Sequence, residues 1–576
     1  MTARTAAVLL AASAAYLTLV WSGAGALGTN YEEAVPYVLT PLDIRDYEPS
    51  RGDADAPAFI VASQLPRLAF APAPDVRWPL LNQPYMTDHL TYGGVGLGAL
   101  GLDRLAAARL WHALFGLALL WVLFDVARLL GLPTRAALLA VAVTATCLPF
   151  TFMYTWARFD ESLASWGAVV VLWAALRQAR DGRRGWLWLA VLAIGLAVSA
   201  KLTALWPLSG LAVAAPLAGW RPPPLRRLAL PALAAAPLFA PIVGFAIAGP
   251  ATANEVSRRL AFLGDLFTTD VIPGTAANLV DYLGNWGGIL SGAIRGAAAG
   301  APNFAGWLLI AATLLWLAAR TLAAGPVPRR RRLETQMLAY TAVIYVWVVL
   351  FFREHRDYQF ALLVPLHALA VAAFLDWTAA RSLDRRLPGW AAGLLVAAWP
   401  LGANLWEQRR LHEDLLRARN AMFHQGVQRA SAEWLAAHGV QRPIVVTFYA
   451  VGAYELMSGG AVRPVYPFPL LRHAKNGPAR QDYADVWRRL LAGGEAPRYA
   501  VLPLGENPIE GRHFDEAAIR AALHEVAPGE RVATFVNHDG EPLLEIWRVT
   551  PPPPGAAPAP APAARAGALP GRDGAV

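Results

Sequence analysis

Trp156-Ala157-Arg158-Phe159-Asp160-Glu161-Ser162-Leu163 stands between two apolar runs, 134–154 and 162–179, with almost no loop separating them. A helix needs ~20 apolar residues to cross the hydrocarbon core of a bilayer. The segment therefore reads as a tight junction between two membrane helices. Charges at a partly apolar junction are costly unless they are paired or used. A local Arg158–Asp160 ion pair is the bland alternative to a functional cluster.

Working outward, about eleven apolar runs of roughly spanning length follow one another. They cover 6–28, 106–130, 134–154, 162–179, 186–200, 204–219, 228–249, 303–323, 336–352, 359–377 and 389–406. The basic loops between them are Arg128–Arg135, Arg177–Arg184, Arg221–Arg227, Arg320–Arg332 and Arg381–Arg386. Alternation puts all five, with Arg4, on one face, which the positive-inside rule makes cytoplasmic. The opposite face receives Tyr31-Glu32-Glu33, the Arg158–Glu161 junction and Arg353-Glu354-His355-Arg356-Asp357-Tyr358. Paired carboxylates and clustered arginines thus meet at the outer surface, within reach of a lipid-linked substrate.

The composition agrees with this class. Of 576 residues, 56% are hydrophobic and 16% charged, the balance of a polytopic membrane protein with an extramembrane part. A formal net charge of +9 is not a nucleic-acid footprint, because the arginines sit in short inter-span loops. The single cysteine, Cys147, excludes an intrachain disulfide and reads as a small buried hydrophobe. Residues 6–28 with Ala24-Gly25-Ala26 also resemble a secretory leader. Their near-spanning length favours a retained first helix.

Residues 1–406 are expected to form the transmembrane part, with a first outer loop at 29–105 and a second at 250–302 carrying Asp265, Asp270 and Asp281. Beyond 407 the texture changes. Amphipathic stretches at 411–438, 480–493 and 515–524 alternate with short β-branched runs at Pro443–Phe448, Arg498–Leu502, Arg531–Val536 and Leu543–Val549. These predict a small extracytoplasmic α/β domain over 407–549. Residues 550–576 are rich in Pro, Ala and Gly and are expected to be disordered.

Several side chains are candidates for chemistry. Glu32 and Glu33 follow the first span; they are either a solvated turn or carboxylates raised in pKa by a crevice. Lys201 ends the run Ala190–Ala200, and either snorkels to headgroups or neutralises a phosphate. Arg353, His355 and Arg356 either anchor a helix end or clamp a phosphate. Tyr358 sits at headgroup depth. His89, beside Asp88, has no second histidine at ligand spacing. Asp125 and Arg128, at i and i+3, read as a structural pair. No Walker loop, dinucleotide fingerprint or nucleophile elbow is present.

The order of these elements resembles the GT-C glycosyltransferases, in particular the family 39-like branch of protein mannosyltransferases and aminoarabinose transferases. An acidic pair follows the first helix, Leu105-Ala106-Ala107-Ala108-Arg109-Leu110 enters the second span, and Arg-x-Asp joins spans 3 and 4. A lysine follows span 5, and a basic-Tyr element precedes Phe360–Leu366. The resemblance covers residues 1–410. It departs from the family in having Glu32-Glu33 where relatives usually have Asp-Glu. It also lacks a His-Pro-Pro stretch, whose region holds Asn82-Gln83-Pro84-Tyr85.

The resemblance implies a polytopic helical enzyme in the bacterial plasma membrane. It would transfer a hexose or pentose from a polyprenyl phosphate in the outer leaflet to a glycan, lipid or protein acceptor, with inversion. The matching positions assign Glu32, Glu33 and Asp160 to catalysis, and Arg158, Lys201, Arg356 and Tyr358 to substrate and phosphate. Glu161, His89 and Arg353 are further candidates. A divalent metal is compatible with the acids, though no ligand set is legible. The alternatives are a ligase or polymerase acting on a lipid-diphosphate glycan, a secondary transporter, and a non-catalytic scaffold. A transporter calls for charges at the midplane and repeat symmetry.

Overall fold

The computed structural model describes residues 2–26, 104–155, 159–200, 204, 207–212, 223–247, 304–323, 364–417, 425–446, 453–465, 483–491, 498–504 and 516–550. The helical part contains α1 (Ala3–Ala26), α2 (Arg104–Leu129), α3 (Thr134–Thr146), α4 (Leu148–Thr155), α5 (Phe159–Asp181), α6 (Gly185–Ala200), α7 (Leu225–Ile247), α8 (Phe304–Leu322), α9 (Val364–Ser382) and α10 (Gly389–Arg417). The helices expected at 6–28, 106–130, 162–179, 186–200, 228–249 and 303–323 form to within three residues at each end. The run at 389–406 continues as helix to Arg417. The run at 336–352 lies outside the described residues. Among those described, Ala3–Ser22 and Arg109–Leu129 are long and apolar enough to cross a membrane, and Thr134–Thr146 and Gly185–Val198 are shorter apolar helices.

One expected span is two helices. The run 134–154 breaks at Cys147, whose backbone is extended (φ −69°, ψ 124°). Pro149, which has no N–H to donate to the carbonyl four residues back, follows two residues later and falls in the first turn of α4, the part of a helix that accepts proline best. The chain restarts as α4 at Leu148. Cys147 itself is fully buried.

The direction of each helix follows from its cross-contacts. Trp121 Nε1 of α2 donates to Ser13 Oγ of α1 at 3.2 Å, and Tyr16 Oη donates to Ala113 O at 3.1 Å, so α1 and α2 are antiparallel. His112 meets Ser162, whereas Asp125 meets Arg177, so α2 and α5 run parallel. Asp125 Oδ2 accepts from Trp173 Nε1 at 2.6 Å and from Arg177 Nη2 at 2.5 Å. This corrects the expected Asp125–Arg128 pair. Arg128 Nη1 instead donates to Leu132 O at 2.5 Å, closing the turn after α2. A residue at i+3 loses the competition because Arg177 reaches the same carboxylate from across the helix interface with two nitrogens.

Arg135, at the start of α3, bonds Asp376 of α9, and its Nη2 donates to Asp384 Oδ2 at 2.8 Å. The loops 128–135 and 381–386 therefore share one end of the bundle, as the alternation of basic loops requires. Close helix approach comes from small side chains. Ala136, Ala137 and Ala140 of α3 and Ala368 and Ala372 of α9 are fully buried, and these two helices pack together. Large apolar side chains face outward: Leu10, Trp21, Leu230, Leu233, Leu315, Trp390, Leu394 and Trp399 are all exposed. In the region 425–550 the corresponding exposed large hydrophobe is Val536 alone among the described residues. A helical exterior this apolar matches hydrocarbon rather than water.

The C-terminal region holds α11 (Gln425–Ala437), β1 (Ile444–Val445), α12 (Ala453–Met457), α13 (Tyr483–Leu491), β2 (Tyr499–Pro503), α14 (Glu516–Val526), β3 (Gly529–Val536) and β4 (Pro542–Val549). The strands form a mixed sheet ordered β1-β2-β4-β3. β1 and β2 pair in parallel and the others antiparallel. Successive residues point to opposite faces. Val445, Val501, Leu544 and Ile546 pack with α11 and α12, while Ile444, Ala500, Leu502 and Val549 pack with α13 and α14. The helix bundle touches this region where α1 contacts α11.

Candidate active site

At the end of the bundle away from Arg135, four helices place buried polar groups against one another. Tyr16 of α1, Arg109 and His112 of α2, Tyr154 of α4 and Ser162 of α5 are all at most 2% exposed. Arg109 and His112 share a face of α2 because residues three apart do so on any α-helix. Tyr154 is the penultimate residue of α4, and Ser162 lies in the first turn of α5.

The contacts are short. His112 Nε2 is 2.6 Å from Ser162 Oγ. Tyr154 Oη donates to Ser162 O at 3.2 Å. The His112 ring lies 5.2 Å from the Tyr154 ring, and Tyr154 packs edge-on to Tyr16 at 6.4 Å. The first turn of α5 is thus held by both its side-chain and its backbone oxygen at residue 162.

The C-terminal turn of α6 reaches the same end. A Cβ built on Gly167 of α5 would lie 2.3 Å from Ala197 Cβ and 3.1 Å from Ala193 O. Glycine is what lets the two backbones come this close. Farther around, Asn404 Nδ2 of α10 donates to Val143 O at 3.1 Å and to Thr146 Oγ1 at 3.0 Å. Gln408 Nε2 donates to Thr146 O at 3.2 Å and also bonds Thr151 Oγ1. These amides occupy the carbonyls freed where α3 stops. Because Arg135 contacts Asp376 far along α9, the N-terminal end of α9 at Val364 also lies toward this end.

Of the residues expected from sequence, Asp160 and Glu161 belong to the first turn of α5, beside the Ser162 contacts. Glu32, Glu33, His89, Arg158, Lys201, Arg353, Arg356 and Tyr358 lie outside the described residues. His112, Tyr154, Tyr16 and Ser162 were not singled out by sequence reasoning, and Arg109 entered only as part of a motif. The signal for Arg109 and His112 was available: ionisable residues inside an apolar run mark function or pairing by default. Tyr and Ser carry no such signal, since both are ordinary in membrane helices. Among the described residues, no three His, Cys, Asp or Glu side chains gather as a metal site.

No protein-family model matches the chain, and no curated protein matches it. Several solved structures are similar to it. The archaeal oligosaccharyltransferase AglB from Archaeoglobus fulgidus, in complex with an inhibitory peptide and a dolichol-phosphate, is 14% identical with a TM-score of 0.49; the match covers 96% of this chain and 74% of that one. ArnT from Cupriavidus metallidurans, bound to undecaprenyl phosphate, is 16% identical with a TM-score of 0.49, over 94% of this chain and 98% of that one. The arabinofuranosyltransferase AftD from Mycobacteria is 18% identical with a TM-score of 0.40, over 95% of this chain and 40% of that one.

Proposed function

We propose that this chain is a membrane glycosyltransferase that moves a sugar from a polyprenyl-phosphate donor to an acceptor at the outer membrane surface, inverting the anomeric centre. The observation that supports it is the convergence of chain ends. The C-terminal ends of α4 and α6 and the N-terminal end of α5 lie at one end of the bundle, toward which the C-terminal half of α1 runs from Tyr16, and the basic loops 128–135 and 381–386 share the other. Glu32 and Glu33 lie a few residues beyond the end of α1, Asp160 and Glu161 begin α5, and Lys201 follows the last residue of α6.

In this reading Asp160 takes the proton of the acceptor hydroxyl as its oxygen bonds the anomeric carbon, with Glu32 and Glu33 beside it. The bond from that carbon to the phosphate oxygen breaks, and polyprenyl phosphate departs as an anion. Positioned proton transfer contributes ~10²–10⁴-fold in rate. Arg158, Lys201 and Arg356 neutralise the leaving phosphate from a preorganised site, with Tyr358 at headgroup depth. The N-terminus is cytoplasmic, and the α/β region 407–549 is extracytoplasmic.

The test is purified protein assayed with a panel of polyprenyl-phosphate sugars. One of them should be consumed with release of polyprenyl phosphate, and Asp160→Asn, nearly isosteric, should abolish that release. Wild-type rates in both Asp160→Asn and Glu32→Gln would falsify the acid–base assignment. Consumption of a lipid-diphosphate glycan instead would favour the ligase alternative.

A further inference from the structure

We infer that His112 is a positioning residue for the first turn of α5, holding it through Ser162 so that the carboxylate of Asp160 is carried on a fixed backbone. The inference rests on the transferase reading above and names a residue that reading does not use.

Three observations carry it. His112 Nε2 and Ser162 Oγ are 2.6 Å apart, and both residues are buried, at 0% and 1% exposure. The same residue 162 is gripped a second time, because Tyr154 Oη donates to its carbonyl at 3.2 Å. The ring that does the gripping is itself wedged: His112 lies against Tyr154, which packs at a tilt against Phe150 at 4.9 Å, and Phe150 in turn lies 5.7 Å from the Tyr16 ring. The first turn of a helix is ordinarily its loosest part, since its N–H groups have no intrahelical acceptors. Here it is tied to α2 and α4 two residues after Asp160. A displacement of ~1 Å at a reacting group costs on the order of 10²-fold in rate, so a tie at this place governs kcat more than donor affinity. His112 is the residue to test because an imidazole bridges between helices over a distance that a smaller side chain does not span.

The experiment uses full-length protein in detergent and an undecaprenyl-phosphate-linked sugar taken from the active member of the panel. Release of undecaprenyl phosphate gives kcat and KM for wild type, His112→Ala, His112→Gln, Ser162→Ala, the His112→Ala/Ser162→Ala double variant and Asp160→Asn. Hydrogen exchange is followed in the peptide that contains Ser162. The expected result is a fall in kcat of roughly 10²-fold in His112→Ala with KM within about two-fold of wild type. Exchange at the start of α5 should be faster, the double variant no slower than His112→Ala, and His112→Gln, which keeps a hydrogen-bonding group, recovered to within about ten-fold of wild type. Multiplying losses in the double variant, or unchanged exchange with a raised KM, would overturn the inference. If His112→Ala does not fold, Ser162→Ala carries the same comparison of kcat, KM and exchange. Asp160→Asn separates the two levels. If it is inactive while His112→Ala and Ser162→Ala match wild type, only this inference falls. If Asp160→Asn is fully active, the acid–base reading falls and the inference with it.

Discussion

Asn404 Nδ2 donates to Thr146 Oγ1 at 3.0 Å, across 258 residues of sequence, and so pins the last long helix to the place where α3 breaks. The break falls two residues before Pro149, and the polar groups it frees are answered by side chains of α10. We expect Asn404→Leu to destabilise the protein by about 1 kcal/mol, since buried hydrogen bonds between membrane helices average ~0.6 and reach ~1.7 kcal/mol. Thr146→Val should cost a similar amount, and the two together less than their sum. Unfolding midpoints in detergent for the two single variants and the pair measure this. Strict additivity would mean the bond contributes nothing.

The helices were legible because apolar runs and basic loops announce them separately. Leu148-Pro149 shows the limit: hydropathy runs smoothly through it, and only the proline marks where the span divides. Asp125 shows a second limit. Its neighbour Arg128 is at helical spacing, but Arg177 wins through a tertiary contact that local pattern does not contain. In the C-terminal region the expected strand 443–448 is Ile444–Val445 among the described residues, which reach 446, while β2 and β4 stand within one residue of expectation at each end. β1 pairs with β2 and bridges to Val465 through Ile444, a short parallel contact whose extent is set by partners rather than by its own composition. The buried cluster around His112 was only half visible, because tyrosine and serine look ordinary until another helix is seen to touch them.

Gly167 sets how near α6 comes to α5. Alanine is ordinarily the better helix former by about 1 kcal/mol. At this position a Cβ would stand 2.3 Å from Ala197 Cβ, inside any permitted contact, and 3.1 Å from a backbone oxygen that cannot swing away. The clash wins, and overpacking of this kind costs ~1–3 kcal/mol. Gly167→Ala should lower the unfolding midpoint, and Gly167→Ala with Ala197→Gly should restore most of it. Failure of the second change to rescue the first would place the strain elsewhere.

Tyr454 links the fold of the C-terminal region to alkaline pH. It is 1% exposed and hydrogen-bonded to Ser431 at 3.1 Å, and burial pushes its phenol from the usual 10.0 up to about 12. The folded state therefore favours the neutral phenol. Its contribution is fully present below pH 10 and is lost as pH rises from 10 through 12. Wild type should lose stability over that interval relative to Tyr454→Phe, which has no proton to release. Parallel stability curves for the two proteins between pH 9 and 12 would rule out a titrating Tyr454 as the cause.

Lys201 and Arg356 are separated by most of the bundle in sequence, yet the reading proposed here gives them a common phosphate. Lys201 follows directly on Ala200, the last residue of α6, whose final turns pack against Gly167 near the His112–Ser162 contact. Arg356 precedes Val364, the first residue of α9, by eight residues in the sequence, and the Asp376 that meets Arg135 lies toward the far end of that helix. A phosphate between two cations in a site drier than bulk water is weakly screened, so both charges should count. Lys201→Ala and Arg356→Ala are each expected to weaken binding of undecaprenyl phosphate at least ten-fold, and the double variant further. Arg356→Lys should recover only part of the loss, because an ammonium lacks the two-pronged geometry of a guanidinium. Arg128→Ala, at the other end of the bundle, should leave binding unchanged. The measurement is undecaprenyl phosphate binding to detergent-solubilised protein. If the double alanine variant binds as tightly as wild type, the phosphate site is lost from this reading. With it goes the main physical reason to prefer a lipid-dependent transferase over a scaffold that only displays its outer α/β region.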